Sequence, residues 1–170
     1  MKKTFIFVAT AIILSTLGFA KPNPIMKVKD TNGKTYTVQG TSNGLIINEL
    51  KNKIVFVEFF GHNCPPCLKT IPHLKTLQTK YKDKLAIVAI EVQGFNNSEL
   101  KSFASSKGIN YITISQDNGG QLVEYIGSRA KWGGSIPFLT VLDKKGSVQQ
   151  LQAGLIPLET LDQIVLKLSK

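Results

Sequence analysis

An α/β domain with a mixed central sheet, helices flanking it and an N-terminal β-hairpin is the fold this sequence predicts. Three observations carry the expectation. Ile54–Phe60 and Leu85–Val92 are apolar runs of strand length, rich in β-branched and aromatic residues. The residues between them, Leu68, Ile71, Leu74, Leu77 and Tyr81, recur at helical spacing. A late hairpin, Pro137–Leu142 and Ser147–Gly154 around the turn Asp143–Gly146, precedes an amphipathic run with Leu158, Leu161, Ile164, Val165 and Leu168 on one face. Alternating strands and helices closed by a hairpin and a helix give a mixed sheet covered on both faces.

The elements follow in order. Lys2 and Lys3, the apolar run Phe5–Leu17 and the small-residue site Gly18-Phe19-Ala20 read as a secretory signal peptide cut after Ala20. An uncleaved membrane anchor is the alternative, although the run is short for a span. Cleavage leaves residues 21–170 as one domain. Ile25–Lys29 and Lys34–Val38 flank Asp30-Thr31-Asn32-Gly33, the pattern of a hairpin. Gly40–Gly44 is a turn, and Leu45–Leu50 is either a strand end or a short helix. Asn96 and Glu99 form a capping pair for a helix through Leu100, Phe103 and Ala104, stopped by Gly108. Tyr111–Ile114 is a short strand. Leu122, Val123, Tyr125 and Ile126 mark a short helix opened by Gly119-Gly120. Gly127–Ser135 reads as an irregular basic loop carrying the chain's only tryptophan, Trp132. Pro157 opens the last helix.

Composition excludes some functions. The formal net charge is +10, or +8 once Lys2 and Lys3 are removed. The excess is spread over scattered lysines without interleaved aromatics, so no nucleic-acid partner is expected. The chain has two cysteines, Cys64 and Cys67. A loop so small cannot staple a fold. The pair is therefore read as working chemistry. Pro65 and Pro66 suit a helix's first turn, where missing N–H groups matter least. Cys64 then stands at a strand-to-helix junction, beside unpaired N–H groups and the positive end of the helix, which stabilise a thiolate. Cys67 follows one turn later, within bridging distance.

Competing uses of these residues are weak. His62, Cys64, Cys67 and His73 make a poor tetrahedral metal set, because both cysteines share one helical turn. Attached haem needs histidine directly after the second cysteine, and Leu68 stands there. No metal or soluble cofactor is expected. Glu58 lies inside the apolar strand. It is either an acid on an outward face or a buried one beneath the cysteine pair. Phe56 and Phe60 share its face, which favours the buried reading and a role moving protons to and from Cys67.

These motifs resemble the thioredoxin family, and within it the exported TlpA/ResA/DsbE-type thiol–disulfide proteins. The resemblance covers Ile25 to the C-terminus. It implies a thioredoxin-like fold and places the family's buried acid on Glu58, its helix proline on Pro72 and its cis-proline on Pro137. It implies that Ile136 and Pro137 meet the substrate backbone, and that Gly154 lies in the penultimate element. The implied activity is thiol–disulfide exchange with exported protein thiols or disulfides, favoured in the reductive direction. Cytochrome c maturation is one implied pathway, with a membrane redox partner recharging a monomeric, periplasmic protein. A peptide-binding or chaperone-like module is the alternative. Two departures stand out. His62-Asn63 precedes Cys64 where the family commonly has tryptophan, and Gly127–Ser135 looks like an insertion. His62 and Trp132 therefore join Ile136 and Pro137 as candidate substrate-binding residues, with Trp132 expected at an exposed loop tip. Its alternative is to fold back onto the preceding helix as packing.

Overall fold

The computed structural model describes residues 23–170, so the signal segment expected over Met1–Ala20 lies outside the described residues. Eight strands and four helices are formed among the described residues: β1 (Ile25–Lys29), β2 (Thr35–Gly40), β3 (Leu45–Ile47), β4 (Ile54–Phe60), α1 (Pro65–Lys80), β5 (Leu85–Glu91), α2 (Asn97–Ser106), β6 (Ile112–Ile114), α3 (Gln116–Ala130), β7 (Phe138–Leu142), β8 (Val148–Ala153) and α4 (Leu158–Ser169). The main sheet has the order β6-β5-β4-β7-β8. β4, β5 and β6 run parallel, and β7 and β8 are antiparallel additions. This is the thioredoxin-like fold.

β4 is the middle strand, and all seven of its residues are buried. Alternation sends Val55, Val57 and Phe59 to one face, where they meet Leu122 and Ile126 of α3. Ile54 and Phe56 go to the other face, against Leu74 and Leu77 of α1 and Leu161 and Val165 of α4. The expected strands, the sheet type and the helices on both faces are all present. α1 continues through Pro72, because the apolar spacing carries on past the proline and the packed face outweighs one missing hydrogen bond.

The N-terminal extension is larger than a hairpin. β1, β2 and β3 form a three-stranded antiparallel sheet. Leu45–Leu50 resolves into β3 and a 3-10 turn, Asn48–Leu50. This sheet buries Met26, Val28, Tyr36 and Val38 in the same core as Val57 and Phe59. Backbone bonds bind it to the main body: Thr31 N–H donates to Thr113 O at 3.0 Å, and Val148 N–H donates to Asn43 O at 3.0 Å.

The segment before β7 corrects the expectation of a long loop. α3 runs from Gln116 to Ala130, a longer helix than expected, with Gly119 and Gly120 inside its first turns and not at its opening. A Cβ at Gly119 would come to 3.0 Å from Ile90 and from Ile114. Glycine there lets the helix lie close on the sheet, and that packing overrides its poor helix propensity. Only Lys131–Ser135 remains as a connection. Lys131 caps the helix at φ 52°, and Trp132 N–H returns to Gly127 O at 2.8 Å. The indole is half-buried, not an exposed tip. It meets Phe59 edge-on, with ring centroids 4.9 Å apart, and its Nε1–H donates to Ser135 O at 2.7 Å. Gly127 leaves room for it, since a Cβ there would stand 3.3 Å from the ring.

Replacing Trp132 with alanine is therefore expected to cost about 2–4 kcal/mol, a loss of several degrees in melting temperature. Reduction of a small disulfide should fall no further than the lost folded fraction. A melting temperature near wild type, with only protein-substrate turnover reduced, would restore the exposed-tip reading.

Candidate active site

The site is built where β4 hands over to α1. Gly61, His62 and Asn63 make the connection, and Cys64 is the N-cap of the helix in an extended conformation, φ −135° and ψ 98°. A residue before proline is steered to that region, so Pro65 helps to set it. The first-turn N–H groups have no helical partner. One of them, on Cys67, points at Cys64 Sγ from 3.2 Å. Cys64 and Cys67 form a disulfide, with Cα atoms 5.2 Å apart. Once that bond is opened, the Cys67 N–H and the helix dipole act together on a Cys64 thiolate. Cys64 is 6% exposed and Cys67 1%, so Cys64 is the more exposed residue of the pair.

Ile136–Pro137 is cis and comes in from the far side. Ile136 O lies 3.8 Å from Cys64 Sγ, and Gly154 N–H holds Pro137 O at 2.8 Å. The structure thus brings Cys64, Cys67, Ile136 and Pro137 together. Trp132 stands behind them, tied to Ser135 immediately before Ile136. His73 is engaged elsewhere, with Nδ1 3.2 Å from Ile156 O.

Glu58 is buried, 2% exposed, and paired across the sheet with Ala89 and Leu139. It lines an enclosed cavity of about 10 Å³ with Thr70, Leu74, Pro137 and Leu139. That is roughly the space one water requires. Burial pushes its carboxyl up to about 8. Tyr111 packs against the same cysteine cluster. Burial first, and then the charge of Glu58, keep its phenol protonated far above the usual range.

A second buried acid, Glu91, escaped the reading of the sequence. It ends β5 with no exposed surface and accepts the N–H groups of Gln93 at 3.0 Å and Phe95 at 2.9 Å. Its Oε1 is 2.9 Å from His62 Nδ1. Gln93 Oε1 takes the Asn63 N–H at 2.8 Å, and its side chain fills the space a Cβ at Gly61 would need. His62 stacks on Phe95, with centroids 3.6 Å apart and planes 8° from parallel. The available signal was the one that exposed Glu58, an acid inside an apolar run.

The comparisons agree with this geometry. The AhpC/TSA family model matches residues 21–151. The chain belongs to the AhpC/TSA family. It is 29% identical to the thioredoxin-like protein YneN of Bacillus subtilis over 75% of this chain and 71% of that one. It is 29% identical to the thiol-disulfide oxidoreductase ResA of Bacillus thuringiensis, over 75% of this chain and 65% of ResA, just under two thirds of that relative's length. A thioredoxin-family thiol:disulfide interchange protein from Chlorobium tepidum superposes with a TM-score of 0.71, at 24% identity, covering 88% of this chain and 96% of that one. With these relatives and a Cys64–Cys67 disulfide at the helix start, this chain is a thiol–disulfide oxidoreductase.

The state of Glu58 has a measurable consequence. The folded carboxyl holds its proton up to about 8, against an ordinary value of 4.5. Between those values the native state binds more protons than the unfolded one, so stability falls as pH rises, by up to roughly 1.4 kcal/mol per pH unit. Below the lower value this contribution is fully present. Glu58→Gln should remove the slope. Melting curves from pH 5 to pH 8 should show the variant gaining steadily on the wild type, and parallel curves would place Glu58 in contact with solvent.

Proposed function

We propose that this protein reduces disulfides in exported protein partners, with Cys64 as nucleophile, Cys67 as resolving thiol and Glu58 as the proton carrier for Cys67. The observation that carries the reading is the Cys64–Cys67 pair at the helix start, faced by Pro137, in a fold that also buries an acid beside Pro137 whose carboxyl is pushed up to about 8. In the reduced protein, the Cys64 thiolate attacks a partner disulfide and forms a mixed disulfide. Glu58, in its ionised fraction, then takes the proton of Cys67 and becomes a neutral carboxyl. The Cys67 thiolate attacks Cys64 Sγ, the partner leaves as a thiol, and two electrons have passed to it. An acid near 8 both accepts and returns a proton at working pH, as this step needs.

Ile136 and Pro137, which face Cys64, and His62, two residues before it, are proposed as partner contacts. Trp132 acts from behind, by fixing the segment that leads into Ile136. The signal-like segment Met1–Ala20 supports an extracytoplasmic, periplasmic setting for a domain spanning residues 21–170. There a membrane electron donor would return the disulfide to the dithiol. Cytochrome c maturation is the pathway the resemblance suggests.

A Cys67→Ala variant is expected to accumulate mixed disulfides with exported proteins, visible on non-reducing gels and released by a thiol reductant. Cys64→Ala should accumulate none and lose turnover by at least about 100-fold. If Cys67→Ala captures partners only non-covalently, the protein is a peptide-binding module that has kept the fold.

A further inference from the structure

The connection before Cys64 holds a histidine with one ring nitrogen on a buried carboxyl and its ring stacked on Phe95. Glu91 is fully buried and both its oxygens accept backbone N–H groups, Oε1 from Gln93 and Oε2 from Phe95. A carboxyl so used is an acceptor, so the short contact to His62 Nδ1 places the imidazole proton on that nitrogen. The tautomer is thereby fixed, with Nδ1–H toward Glu91 and Nε2 on the opposite edge of the ring. Stacking on Phe95 fixes the ring plane. The side chain is 27% exposed, and among the described residues Glu91 is its only ion-pair partner and nothing bonds to Nε2. Phe95 in turn packs on the cluster of Cys64, Cys67 and Phe60. An imidazole held by an acid through one nitrogen, with the other unpartnered and two residues before the nucleophile in the chain, has the order of parts that acid–base catalysis uses.

We propose that His62, oriented by Glu91, is a second acid–base residue of disulfide exchange and serves the partner's sulfurs as Glu58 serves Cys67. This rests on the exchange reading given above. When the Cys64 thiolate attacks, the partner's S–S bond breaks and the departing sulfur takes the electron pair. A proton that Nε2 has taken from solvent goes to that sulfur, and a new S–S bond joins Cys64 to the partner. His62 is reprotonated from water. When Cys67 displaces the partner's second sulfur, that sulfur leaves with its electron pair and takes a second proton from Nε2. Two thiols appear on the partner as the Cys64–Cys67 disulfide closes. The need arises because an alkyl thiolate is a poor leaving group unless it is protonated as it departs. Imidazole is the side chain that donates a proton near neutral pH. A small disulfide whose leaving group is a stable aromatic thiolate needs no such donor.

Single-turnover reduction by the reduced protein tests this with two probes: insulin, whose alkyl thiolates need a proton, and 5,5′-dithiobis(2-nitrobenzoate), whose aromatic thiolate does not. His62→Asn should slow insulin reduction by roughly tenfold or more and change the aromatic probe by less than about threefold. Added imidazole should restore insulin reduction by His62→Gly in proportion to its concentration. Equal slowing with both probes, no slowing with insulin, or failure of imidazole to rescue would overturn the assignment. A wild-type protein that reduces neither probe would overturn the exchange reading itself, so the two failures are distinguishable.

Discussion

The burial of β4 on both faces is the constraint on which the rest of the molecule depends. A strand with no exposed side has to be apolar along its length and flanked by strands on both edges, as β5 and β7 flank it. Its end then delivers Gly61–Asn63 and Cys64 to one fixed place at the rim of the sheet. α1 starts there because Pro65 and Pro66 permit a first turn and little else. β7 enters antiparallel beside the same strand, so cis-Pro137 reaches the cysteines from the other side. The position of the disulfide is thus a consequence of core packing, and the reactive loop needs no device of its own to hold it.

That packing gives two buried carboxylates opposite treatment. Glu58 sits among apolar neighbours beside a cavity of water size, and losing solvent raises its affinity for a proton. Glu91 is buried as deeply but surrounded by donors, the backbone N–H groups of His62, Gln93 and Phe95 and the His62 ring. Its hydrogen bonds join the loop after β5 to the loop before Cys64. One acid is left with a raised affinity for its proton, and the other holds two loops and a ring in register. Burial alone would not have separated these roles. The partners do.

Much of this was legible in the residues. The strand character of β4, the helix start at Pro65 and the reactive pair at Cys64 and Cys67 follow from local pattern, and the depth of Glu58 followed from the company of Phe56 and Phe60. The extent of α3 did not, because Gly119 and Gly120 signal a break when read locally, and only the closeness of the sheet shows why a glycine belongs inside the helix. Trp132 was misplaced for the same reason, since its exposure was inferred from a loop that is mostly helix. Glu91 and Phe95 became visible only when the loop after β5 was seen against the loop before α1, residues about 30 positions apart. The third strand of the N-terminal sheet was half visible, with Leu45–Leu50 left open between strand and helix and found to hold both.

The central claim is that the helix start and the Cys67 N–H make Cys64 the reactive, outward sulfur of the pair. The most direct measurement is mass spectrometry after brief alkylation of the reduced protein near neutral pH, following each cysteine separately. Cys64 is expected to be labelled first and faster than an ordinary free thiol, with Cys67 labelled only after longer exposure. Preferential labelling of Cys67, or equal and slow labelling of both, would contradict the account.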